Sequence, residues 1–193
     1  MDLTQGSDRH KVIRAKKMML WFGIISMAMM FAGLTSAYVV SKTRPDWLSA
    51  LELPASFIWS TLVIFLSSLT FIGAERAVKK EKRSLAGAYF LFTLGLAGLF
   101  VFLQLQSFNE MISQGYYFTG SESTVTTSFI YIIVISHLAH LAAGVIVLLV
   151  VIYNHFKHRY FPGQTLGLEL GATFWHFLDA LWIYLFLFLY FFR

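Results

Sequence analysis

The sequence predicts an all-α integral membrane protein: one five-transmembrane-helix bundle, N-terminus cytoplasmic and C-terminus periplasmic. Three observations lead there. Of its 193 residues 58% are hydrophobic and only 13% charged, with a mean hydropathy of +0.67. A soluble domain carries about 25% charged residues. The apolar residues fall into five blocks, each near the ~20 residues a helix needs to cross the hydrocarbon core. The basic residues gather at alternate ends of those blocks, a sorting that orients a membrane protein.

Taken in order, residues 1–17 form a basic cytoplasmic segment with Arg9, Lys11, Arg14, Lys16 and Lys17, and residues 18–193 the membrane domain. The predicted spans are 18–40, 54–74, 85–108, 125–153 and 168–192. Unpaired backbone groups cost several kcal/mol each in lipid, so runs this long and apolar are helices; barrel strands are about half as long and alternate. The loop between spans two and three carries Arg76, Lys79, Lys80, Lys82 and Arg83, and the loop between four and five adds Lys157 and Arg159. These twelve residues share one side, while Lys42, Arg44 and Arg193 lie on the other. By the positive-inside rule the first side is cytoplasmic. The N-terminal span is too long for a cleavable signal peptide and lacks a convincing cleavage site. Small residues, Gly33, Ser36 and Ala37 in the first span and Gly95 and Gly98 in the third, permit close helix packing and are not by themselves a site.

Composition also excludes. With no cysteine there are no disulfides, thiolate zinc sites, iron–sulfur clusters, covalently attached haem c or cysteine-bridged copper. Histidine and carboxylate are the strong ligands left. The net charge of +5 sits in short loops beside apolar blocks, which argues against a nucleic-acid partner.

Ionisable residues inside spans are the informative exceptions. An Asp near the bilayer centre costs about 2.5–3.5 kcal/mol on insertion scales, so Asp179 is expected to face protein, a cavity or water. Glu169 and His176, seven apart, project at nearly one angle, with Asp179 a turn further along. In the fourth span His137 and His140 stand three apart, with Gly144 on the same face. Three readings are open from spacing alone: mutual structural hydrogen bonds, a proton relay, or ligation of a metal or b-type haem.

The residues resemble a known family. "LELGATFWHFLDALWIYLFLFLYFF" is similar to the last helix of subunit III of haem-copper terminal oxidases, through Glu169, Phe174, Trp175, His176, Phe177, Asp179 and Trp182. "SHLAHLAAGVIVLLV" resembles that family's His-x-x-His-x-x-x-Gly helix, with His137, His140 and Gly144. "FLQLQSFNEMISQG" resembles its helix-to-loop segment, with Gln106 and Glu110, and "STLVIFLSSLTFIGA" and "MMFAGLTSAYVV" resemble its earlier helices. The resemblance runs in order through nearly the whole chain after the basic N-terminus.

It implies subunit III of a cytochrome c oxidase in a bacterial plasma (inner) membrane, in a short five-helix form lacking the first two of seven helices. Such a chain holds no redox centre. It packs beside oxidase subunits I and II, whose haems and copper pass electrons to oxygen while protons are pumped, and a larger respiratory supercomplex is a further partner. The resemblance also implies bound phospholipid, and a role in stabilising the catalytic subunit and supporting proton uptake. His176 and Asp179 are then internal polar contacts, not catalytic residues. Other readings are a nitric oxide reductase-associated protein of the same fold, a quinol oxidase subunit III and, remotely, a haem-b membrane protein. One departure stands out: many members have a buried Glu just after the Ser of "IISMAMMFAG", where this chain has Met27. A thioether exchanges no protons.

Overall fold

The structure, a computed structural model, describes residues 8–48, 54–120, 123–160 and 165–192. Five long helices account for nearly all of them: α1 Asp8–Val40, α2 Ser56–Lys79, α3 Arg83–Ser113, α4 Val125–Phe156 and α5 Leu166–Phe192, with one 3-10 turn at Ser41–Thr43. Each is long and apolar enough to span a membrane. The shortest, α2, has 24 residues, about 36 Å at 1.5 Å per residue against a core of ~30 Å. Helices overrun the apolar blocks at the basic face: α1 begins at Asp8, so much of the basic segment continues the first helix. The first seven residues of that segment, and Arg193, lie outside the described residues.

Consecutive helices run antiparallel. α2, α3, α4 and α5 close into a four-membered ring, each touching the next and α5 returning to α2; α1 lies outside, against α4 and α5. Core positions recur at seven-residue intervals: Phe57, Ile64 and Phe71 on α2, and Trp175, Trp182 and Leu189 on α5, all buried. A seven-residue spacing keeps one seam aimed inward when helices cross at a shallow angle. Phe57 stacks on Trp182 with ring centroids 6.0 Å apart, and Phe71 on Trp175 at 6.1 Å. Outward faces are apolar too, with Phe22, Phe102 and Ile146 exposed, as a lipid environment requires. Glycine lets α4 and α5 approach. A Cβ on Gly144 would sit 2.5 Å from Leu178 Cδ1, and one on Gly171 2.9 Å from Val151 Cγ2.

Three helices close in one way. After α3, the Tyr116 N–H donates to the Met111 carbonyl and the Gly115 N–H to Ile112, a Schellman cap with Gly115 at φ +83°. The same pair of bonds ends α2 (Lys82 to Ala77, Glu81 to Val78) and α4 (Arg159 to Asn154, His158 to His155). There the left-handed position holds Glu81 (φ 58°) and His158 (φ 55°). At its start α4 has a reciprocal capping box between Thr124 and Thr127.

Candidate functional site

The polar residues that matter lie along α2, and most were not singled out from sequence. A hydroxyl in hydrocarbon must find a partner, and six on α2 find theirs on the flanking helices. Towards α3, Ser56 Oγ donates to Glu110 Oε2 (2.7 Å), Ser60 Oγ accepts from Gln104 Nε2 (2.8 Å), and Thr70 bonds Thr93 (2.8 Å). Towards α5, Thr61 Oγ1 accepts from Trp182 Nε1 (3.1 Å), Ser67 Oγ from Trp175 Nε1 (3.1 Å), and Ser68 Oγ bonds His176 Nδ1 (2.7 Å). Ser60 and Ser67, and likewise Thr61 and Ser68, are seven apart. Thr61 and Ser68 both face α5, whereas Ser60 bonds α3 and Ser67, two turns on, bonds α5. That repeat was the available sequence signal.

The α5 motif divides among three surroundings. Glu169, at the basic face, pairs with Lys17 of α1 at 3.1 Å and accepts from Thr165 Oγ1 at 3.0 Å. His176 is half-buried against Ser68. Asp179 is 2% exposed. Ser68 neighbours Asp179 as well as bonding His176, and among the described residues neither Asp179 oxygen meets a donor in hydrogen-bonding geometry. The single polar stripe expected from spacing is therefore not one surface. Phe174 and Phe177 are half-buried, while the indoles of Trp175 and Trp182 form the centre of the ring and are tied to α2.

On α4, His137 is fully buried, with Phe31, Phe100 and Trp182 around it at centroid distances of 6.4, 6.1 and 5.0 Å. Among the described residues neither of its ring nitrogens has a partner. His140 turns back to the Ser136 carbonyl at 2.7 Å. On α3, Gln106 is exposed and reaches Glu110 at 3.3 Å, whereas the buried amide, unremarked in the sequence, is Gln104. Met27 packs half-buried against the core. Among the described residues no three His, Asp or Glu side chains converge as a set of metal ligands. The arrangement ties helices together.

The sequence profile of one family, Cytochrome c oxidase subunit III, matches residues 2–193. The chain belongs to that family. Among relatives, cytochrome c oxidase subunit 3 of Bacillus sp. (strain PS3) is 25% identical over 185 residues, covering 93% of this chain and 87% of the relative. Cytochrome bo(3) ubiquinol oxidase subunit 3 of Buchnera aphidicola is 26% identical over 193 residues, covering 97% and 93%. The longer cytochrome c oxidase subunit 3 of Papio hamadryas is 28% identical over 183 residues, covering 86% of this chain and 66% of the relative. Family and helices together make this a multi-pass membrane protein of a haem-copper oxidase complex, associated with other oxidase subunits in respiratory electron transport.

Proposed function

We propose that this chain is the non-catalytic third subunit of a bacterial cytochrome c oxidase, bound to subunits I and II in the plasma membrane. In this reading it carries no haem or copper, stabilises the catalytic subunit, supports proton uptake and retains phospholipid. The observation that carries it is the α2 ladder. The motif side chains Trp175, His176 and Trp182 turn to serine and threonine of the same chain, as expected of a scaffold that shapes its outer surface for a neighbour. Met27 deprives α1 of the acid many members carry, so any proton traffic uses other groups.

The test is purification through a tag on this chain. Subunits I and II, haem and copper should co-purify and oxidise reduced cytochrome c, while the chain expressed alone should be colourless. Stoichiometric haem in the isolated chain would defeat the reading. A quinol oxidase is the second reading, favoured by the coverage of the Buchnera relative; oxidation of ubiquinol but not cytochrome c by the purified complex would select it. Orientation follows from charge, with the basic face cytoplasmic. As the chain has no native cysteine, Lys82→Cys should resist a membrane-impermeant maleimide in intact cells and Tyr117→Cys should react; the reverse pattern would invert the topology.

A further inference from the structure

We infer that the interior of the four-helix ring binds ordered water at Asp179. Polar groups inside proteins nearly always have partners, and bound water supplies those the chain does not. Asp179 is 2% exposed, and among the described residues neither carboxylate oxygen has a partner in hydrogen-bonding geometry. The N–H donors of the ring interior are engaged elsewhere: Trp175 Nε1 goes to Ser67, Trp182 Nε1 to Thr61 and Gln104 Nε2 to Ser60. Ser68 is a neighbouring hydroxyl bonded to His176 Nδ1, and its single proton serves one carboxylate oxygen at most.

The other partnerless atoms of this interior lie close by along the chain contacts. His176 Nε2 is one turn before Asp179. His137, with both nitrogens unpaired, sits beside Trp182. Gln104 Oε1, also unpaired, is one turn from Phe100, whose ring meets Trp182 at 5.0 Å. These unpaired polar atoms are themselves buried. Water fits because it donates to the carboxylate and the amide oxygen while serving an imidazole in either tautomer. About one buried water per 27 residues is ordinary, so several in this chain are unexceptional. The inference holds whichever oxidase the chain serves.

The experiment is X-ray radiolytic footprinting of the intact oxidase, in which hydroxyl radicals formed from bound water oxidise adjacent side chains. Wild type, Asp179→Asn and Asp179→Leu are compared. The expected result is oxidation of Trp175 and Trp182 despite their burial, retained with Asn, which still binds water, and reduced several-fold with Leu. Unlabelled tryptophans in wild type, or equal labelling in all three, would overturn the site. If the Leu variant does not assemble, a wild-type cryo-electron microscopy map that resolves waters elsewhere decides. Density within about 3.2 Å of an Asp179 oxygen supports the site, and its absence refutes it.

Discussion

His176 and Asp179 stand three residues apart on one helix and end in different surroundings. At 100° per residue, three positions turn a side chain by about 60°, which in a closed ring separates facing a neighbour from facing the centre. His176 gains Ser68; Asp179 meets no donor in hydrogen-bonding geometry among the described residues. The motif residues were legible from the sequence, but their partners were not, because serine and threonine in an apolar helix are common and only a cross-helix register gives them meaning. Two expectations belong to this scale. Ser68→Ala and His176→Ala should each destabilise the chain by about 0.5–1.5 kcal/mol, and the double variant by less than their sum; strict additivity in thermal unfolding of the purified complex would remove the bond. Asp179→Ala should shorten the working life of the oxidase over many turnovers with little change in initial rate. Immediate complete loss of oxygen consumption, with haem content and assembly intact, would contradict a structural role.

Helices meet and end through glycine and left-handed caps, and here the two are partly exchanged. Gly115 is a readable stop, but Glu81 and His158 occupy the same conformation without glycine's freedom, so sequence patterns do not reveal those ends. Glu81→Gly should therefore stabilise the α2 cap by up to about 1 kcal/mol, read as a raised melting temperature; a lowered one would mean that the Glu81 side chain contributes more than its backbone costs. The packing glycines separate cleanly. Gly171→Ala pushes a methyl to 2.9 Å from Val151 Cγ2 and should cost about 1–3 kcal/mol as overpacking. Gly95→Ala meets nothing within 4 Å and should be neutral or gain up to about 1 kcal/mol of helix propensity in the isolated chain. A Gly95 variant stable alone but unable to join the oxidase would mark that face of α3 as a subunit contact.

At the scale of the whole molecule, hydropathy yielded five spans in the right order, and it could do no more. In lipid a helix is apolar on every side, so the one-sided pattern that reveals a soluble helix's buried face is missing. The lateral order, a ring of α2 to α5 with α1 attached outside, emerges from contacts such as Thr35 with Tyr184 at 3.0 Å and Phe31 with His137 and His140. Among the described residues α1 packs on neither α2 nor α3. α1 thus has neither α2 nor α3 to bind, and its partners are α4 and α5, made later. On the ribosome, α2 and α3 can pair as soon as both emerge, while α1 must wait in the lipid or in the insertion machinery. A Thr35→Cys, Tyr184→Cys pair should form its cross-link only once α5 has been made, which would make completion of α5 the event that commits α1 to its seat.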